Sequence, residues 1–158
     1  MDLEEFKSRI QVFSPADANE WRERFVATFI DKTRPEFATF MQLRPFPDGM
    51  YYRGYLWDFL NCPEIITYDT LLAELQTLQN VIVFWDVHSS HQILIPNYWK
   101  IGRDTVFRSH VTDVIAGIQY LPEDIYIFDD SMLWTLVTTH EYERSSRICV
   151  KASGKKNG

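Results

Sequence analysis

Three stretches of the sequence concentrate side chains that could do chemistry. In the first, Asp86, His88 and His91 lie within six residues, directly after an apolar run. A carboxylate and two imidazoles at this spacing could bind a transition metal, or could supply a general base to the hydroxyl of Ser89 or Ser90. Polar residues also make ordinary turns, so a turn between two strands remains the alternative.

The second stretch is the end of a β-branched run, where His140 and Glu141 follow two threonines. A regular strand would point these two side chains to opposite faces, so they do not form a metal pair by themselves. A hydrolytic site of Asp86, His88, His140 and Glu141, or a metal site of His88, His91 and His140, would require the two stretches to meet in space. The alternative is a structural His140 that bonds a carbonyl or a carboxylate at the end of the sheet.

The third feature is acidity. Five of the 16 cations lie after Glu143, so residues 1–143 carry 11 cations against all 22 acids, a net charge of −11. Such a surface repels phosphate backbones and attracts basic proteins, which argues against a nucleic-acid partner. Hairpin geometry predicts that acidic residues gather at one end and at the tip of the last strands. Together with exposed aromatic anchors, they would form a docking surface. Its residues are Glu123, Asp124, Tyr126, Asp129, Asp130, Trp134, Glu141 and Glu143. The alternative is a solvated rim.

The elements that must position these residues change in type near Asn80. Before it, apolar residues recur at helical spacing, and Ser14 and Thr67 suit helix N-caps; Ser109 is a later cap candidate. After Asn80 the runs are β-branched and aromatic. The sequence therefore predicts an α+β fold with a helical N-terminal half and an antiparallel sheet of about five strands, ending in a C-terminal meander, with helices on one face. One domain would cover residues 1–152, followed by a flexible basic tail over residues 153–158.

Several classes of protein are disfavoured. No nucleotide-binding glycine motif, HExxH or GxSxG pattern is present, and no cofactor is expected. The acidic start lacks the features of a signal peptide, and the apolar runs are too short to cross a bilayer. Cys62 and Cys149 lack metal-ligand spacing and are expected to be reduced thiols. These features predict a cytoplasmic protein with no membrane partner.

Four segments carry a resemblance. Residues 54–58, 84–89, 121–131 and 134–141 include a Trp-Asp-x-His-Ser segment and a Trp-Thr run that closes on Thr-His-Glu. In this combination the chain resembles a group of small uncharacterised bacterial proteins. In size, acidity and aromatic content it is similar to bacterial toxin-immunity proteins, which implies a protein that binds a partner and has no catalytic activity.

Two functions therefore compete. The first is an intracellular immunity-type inhibitor that covers a basic toxin domain with its acidic face. The second is a small metal-dependent or acid–base hydrolase that uses Asp86, His88, His140 and Glu141. Convergence of these side chains in a pocket would favour the hydrolase, and an exposed acidic and aromatic face would favour the inhibitor.

Overall fold

The computed structural model describes residues 1–40, 44–45, 51–52, 55–86 and 98–154. Its α-helices there are α1 (Leu3–Arg9), α2 (Pro15–Phe29), α3 (Pro35–Phe40), α4 (Tyr68–Leu75) and α5 (Val111–Gly117), with 3₁₀ helices at Leu56–Phe59 and Ile118–Tyr120. Its strands are β1 (Gln11–Val12), β2 (Arg44–Pro45), β3 (Tyr51–Tyr52), β4 (Glu64–Thr67), β5 (Asn80–Trp85), β6 (Phe107–His110), β7 (Ile125–Phe128), β8 (Trp134–Glu143) and β9 (Ser146–Ser153). Within these ranges no helix has the length and apolar character needed to cross a membrane.

Seven strands form one antiparallel sheet in the order β1-β6-β5-β7-β8-β9-β4, and β2 pairs with β3 separately. The α+β class, the antiparallel pairing and the terminal β7-β8-β9 meander are confirmed. The expectations of about five strands and of a helical N-terminal half were wrong in detail. Strands β1 and β4 are edge strands of two and four residues, which are too short to show a period in the sequence.

The sheet is covered on both faces, so the prediction of helices on one face was wrong. Phe84 of β5 packs with α2 and the first 3₁₀ helix, whereas Val83 packs with α1, α4 and α5. All four residues of β7 and the last five of β5 are buried. A strand that is buried on both faces reads as a continuous apolar run rather than an alternating one, and residues 81–85 and 125–128 show such runs.

Local capping signals explain where two of the helices begin. The Ser14 hydroxyl accepts the main-chain N–H of Asp17 at 3.2 Å, and Thr67 caps α4 in the same way, so both predicted caps are confirmed. The predicted cap at Ser109 was wrong. Ser109 still belongs to β6, and the side chain of His110 caps α5 instead.

The two cysteines lie in different environments and are both free thiols. Cys62 is exposed, whereas Cys149 lies inside the core that α4 covers. Burial raises the pKa of the Cys149 thiol to about 11.

Candidate functional site

An irregularity in β8 creates the site. Thr138 pairs with Cys149 and Tyr142 pairs with Arg147, so four steps along β8 face only two steps along β9. Strand alternation does not hold across such a bulge, and bulges commonly re-aim side chains near functional sites. The bulge contains His140, whose main-chain N–H donates to the Asp124 carboxylate at 3.1 Å.

His140 and Asp124 form a close pair through their side chains as well. Nδ1 of His140 lies 2.9 Å and 3.1 Å from the two carboxylate oxygens of Asp124. Asp124 is 2% exposed and the His140 side chain is 36% exposed. The carboxylate fixes the orientation of the imidazole, as carboxylates do for functional histidines. The expectation that Asp124 belongs to an exposed acidic rim was therefore wrong.

A second pair, Asp86 and Tyr126, lies beside the first. The Tyr126 hydroxyl donates to Asp86 Oδ2, and the main-chain N–H of Leu56 donates to Oδ1 at 3.3 Å. The main-chain N–H of Trp57 donates to the Tyr126 hydroxyl oxygen at 2.9 Å. This network ties the 3₁₀ helix Leu56–Phe59 to the sheet.

Burial dominates the ionisation of the second pair. It raises the pKa of Asp86 to about 7, although the bonds from Tyr126 and Leu56 favour the ionised carboxylate. Burial and the neighbouring Asp86 charge hold the pKa of Tyr126 well above its ordinary value. Tyr126 is fully buried, so the expectation that it is an exposed anchor was wrong. Its side chain instead supports the chain segment above it.

The two pairs are joined through the main chain and carry a layer of aromatic rings. The main-chain N–H of Asp86 donates to the carbonyl of Asp124 at 3.3 Å. The Tyr55 and Trp57 rings stack with centroids 5.5 Å apart and an interplanar angle of 24°. The His140 imidazole lies 4.8 Å from the Tyr55 ring and 6.3 Å from the Trp57 ring.

Two exposed carboxylates complete this surface, Asp58 on the 3₁₀ helix and Glu141 on the bulge. The pKa of Asp58 is raised first by partial burial and then by the negative charge of Glu141, while Arg34 and His140 oppose the rise. The pKa of Tyr55 is raised to about 12 by burial and by the charges of Asp124 and Asp86 behind it. We call the surface formed by Tyr55, Trp57, Asp58, His140 and Glu141 the acidic aromatic patch.

The other acidic residues that the sequence predicted are dispersed. Glu123 lies 3.4 Å from the Arg147 guanidinium. Asp130 binds Arg108 through both carboxylate oxygens at 2.6 and 2.8 Å, and Asp129 accepts the indole N–H of the half-buried Trp134 at 3.1 Å. Glu143 is exposed beside the β8–β9 turn. The expected acidic end and tip are therefore largely engaged in pairs within the chain.

The proposed metal site receives no support from the described part of the chain. No group of three or more histidine, cysteine, aspartate or glutamate side chains there could hold a metal ion. His88 and His91 lie outside the described residues, so the metal and hydrolytic sites that require His88 to meet His140 stay alternatives.

Several residues at or near the site were not predicted from the sequence. Tyr55, Trp57 and Asp58 were not among the predicted site residues. Burial raises the pKa of Tyr98, and the nearby charge of Asp124 raises it further. Arg22 donates to the carbonyl of Trp85 at 3.1 Å, while its buried Nη2 has no hydrogen-bond partner among the described residues. Only the aromatic spacing of residues 55 and 57 could have indicated such a surface.

Comparison with protein families, curated proteins and solved structures finds no match to this chain. The function is therefore argued from the geometry of the site.

Proposed function

We propose that the chain binds a basic protein through the acidic aromatic patch, as an immunity-type inhibitor covers a basic toxin domain, without catalysing a reaction itself. The observation that carries this proposal is the pairing of two exposed carboxylates from separate elements. Asp58 and Glu141 are near enough for the charge of one to raise the pKa of the other. Exposed like charges that crowd together oppose folding, and a cationic partner would relieve that repulsion.

The aromatic layer supports the same proposal. Interfaces are enriched in aromatic residues, because large rigid rings bury much area at little cost in entropy. Trp57 is fixed through its main chain by Tyr126, and His140 is fixed by Asp124. The partner would therefore meet a surface that is already ordered, which lowers the entropic cost of binding.

The net charge supplies the long-range attraction. Residues 1–143 carry 22 acids and 11 cations. A field of this sign accelerates encounter with a basic protein and weakens as salt increases. Charges close to the docking site would contribute most to this attraction, because salt screens the more distant ones.

The test purifies the products of the reading frames adjacent to this gene and measures by calorimetry the affinity of each basic one for the chain. Asp58→Asn combined with Glu141→Gln should weaken binding by about tenfold, since rim charges in an interface each contribute modestly. Glu20→Gln combined with Glu64→Gln removes the same charge from exposed positions on α2 and β4 and should change affinity by less than about twofold. Absence of a basic neighbour that binds, or equal losses in the two double variants, would contradict the proposal.

A second candidate, acid–base hydrolysis, is favoured by the His140–Asp124 pair. A buried carboxylate on one imidazole nitrogen leaves the other nitrogen to exchange a proton, as in hydrolytic triads. The neighbouring Asp86, with a pKa of about 7, would hold a second proton. This candidate needs a nucleophile or an activated water, and the hydrogen bonds that His140 makes within the described residues go to Asp124 rather than to a serine or cysteine.

Hydrolysis of p-nitrophenyl acetate and p-nitrophenyl phosphate separates the two functions. The binding proposal expects wild type and His140→Ala to give the same low rates. A rate that His140→Ala and Asp124→Asn each reduce by at least about a hundredfold would replace the binding proposal with hydrolysis.

A further inference from the structure

Strand β4 forms an edge of the sheet that the described part of the chain leaves uncovered. It pairs with β9 on one side, and no described strand pairs with its other side. The apolar side chain of Ile65 is 73% exposed, and Glu64 and Thr67 are exposed as well. Since main-chain groups of an edge strand also point away from its one neighbour, β4 presents hydrogen-bond donors and acceptors to a further strand.

The usual protection of a sheet edge is missing from β4. Proteins protect their edges with lysines, prolines, bulges or very short strands. The opposite edge strand, β1, has only two residues. Strand β4 has four residues, with no lysine or proline among them, and its register with β9 is continuous. Such an edge is the kind of surface to which an extended strand can add.

A groove lies beside the C-terminal end of β4, where the β8–β9 turn approaches the strand. Its volume is about 320 Å³, and its apolar lining includes Ile65 and Ile148. The charged side chains that line it are Arg144, Arg147 and Glu143. Arg144 is exposed and makes no ion pair within the described ranges. The groove therefore carries a net positive charge, although the chain as a whole has a formal net charge of −6.

Two copies of β4 complement each other when they pair in antiparallel fashion. The two-fold axis of such a pair places a central residue, Ile65 or Ile66, opposite its own copy. Glu64 of one copy then lies opposite Ile66 or Tyr68 of the other copy, which is the end of β4 that adjoins the groove. Glu64 is exposed and has no ion-pair partner among the residues that the structure describes. Each end of the pair thus brings a free carboxylate to a positive groove.

We propose that β4 pairs with β4 of a second copy of this chain, so that one continuous antiparallel sheet runs through a dimer. The side chains of the second strand cover Ile65, and Glu64 of each copy pairs with Arg144 of the other. The interface is separate from the acidic aromatic patch, none of whose residues belongs to β4 or to the β8–β9 turn. Dimerisation and partner binding should therefore respond to different substitutions.

Sedimentation velocity between about 1 µM and about 200 µM tests for the dimer. The wild-type chain should change from mainly monomer to mainly dimer across this range, since a small interface gives a reversible complex. Ile65→Lys should weaken association by at least about tenfold, because it places a charge in the interface. Val12→Lys is the matched control. Val12 is 53% exposed on the opposite edge strand, so its replacement should change association by less than about twofold.

A charge exchange tests the proposed ion pair. Glu64→Arg and Arg144→Glu should each weaken association by about tenfold, because each brings like charges together. Both changes in one chain should restore association to within about threefold of wild type. Glu64→Gln should weaken the dimer without changing the affinity for a basic partner, because Glu64 lies outside the patch.

Three results would overturn the inference. The first is a wild-type chain that stays monomeric at about 200 µM. The second is a dimer on which Ile65→Lys and Val12→Lys have equal effects. The third is a double variant in which the losses of Glu64→Arg and Arg144→Glu add instead of cancelling. None of these results bears on the proposed function, which depends on the patch.

Discussion

Replacing Tyr126 by phenylalanine should destabilise the fold by more than the loss of one ordinary hydrogen bond. The hydroxyl donates to Asp86 and accepts the main-chain N–H of Trp57 at 2.9 Å, and the tyrosine is fully buried. Its removal leaves the buried carboxylate of Asp86 and the partly buried main-chain N–H of Trp57 without this partner, and an unsatisfied buried polar group costs about 1–3 kcal/mol. The expected loss is about 2–4 kcal/mol in the free energy of unfolding, a large share of the roughly 5–15 kcal/mol that holds a domain folded.

The loss should also depend on pH. The Tyr126 hydroxyl favours the ionised form of Asp86, whose pKa is about 7. Tyr126→Phe should therefore cost more at about pH 9 than at about pH 5, because hydrogen bonds to an ionised acceptor are stronger.

Urea unfolding at both pH values measures these differences, and Tyr120→Phe provides a matched control. The Tyr120 hydroxyl makes one hydrogen bond, 3.1 Å long, to the carbonyl of Met1 at the chain terminus. The control should lose at most about 1 kcal/mol. If Tyr126→Phe and Tyr120→Phe lower the free energy of unfolding equally at both pH values, the Asp86–Tyr126 network does not anchor the 3₁₀ helix.

Two further predictions concern ionisation. The pKa of Asp86 is about 7 in the folded chain, above the ordinary value near 4. Between these pH values the native state retains a proton that the unfolded chain releases. The free energy of unfolding that Asp86 contributes therefore falls as the pH rises from about 4 to about 7. Asp86→Asn should remove this pH dependence. In urea titrations between about pH 4 and about pH 7, the free energy of unfolding of the variant should therefore rise by up to about 4 kcal/mol relative to that of wild type. Parallel pH profiles of the two proteins would refute this prediction. In the native protein Ellman's reagent should label the exposed Cys62 quickly, and it should label the buried Cys149 only after unfolding. If the unfolded protein shows no reactive thiol until a reductant is added, the two cysteines form a disulfide.

Local signals in the sequence predicted local structure well. Ser14 followed by Pro15, and Thr67 before an amphipathic run, each fix a helix start through contacts within one turn. After Asn80 the β-branched and aromatic composition likewise indicated strands, and β7 is one of them. Its position at the centre of the sheet was not predicted. A half-exposed hairpin strand alternates apolar and polar residues, whereas a strand buried on both faces is continuously apolar. In a segment of four residues these two patterns differ at only one or two positions.

The site was only partly predictable, because it depends on long-range geometry. His140 was singled out with the correct alternatives, a carboxylate partner among them. Its partner Asp124 was predicted to belong to an exposed acidic docking surface, since nothing local shows that β8 contains a bulge that turns His140 towards β7. Tyr55 and Trp57 reach the site from a segment about 80 residues earlier in the chain, and no periodicity links them to it.

The salt dependence of the association rate, measured with a basic protein that binds the chain in the calorimetric test, tests docking through the acidic aromatic patch most directly. For wild type and for Glu20→Gln/Glu64→Gln, the logarithm of the rate constant should fall equally steeply as salt increases. Asp58→Asn/Glu141→Gln should associate more slowly at low salt and converge with wild type at high salt, because only the charges at the docking site are lost. Three coincident curves would contradict docking through the patch.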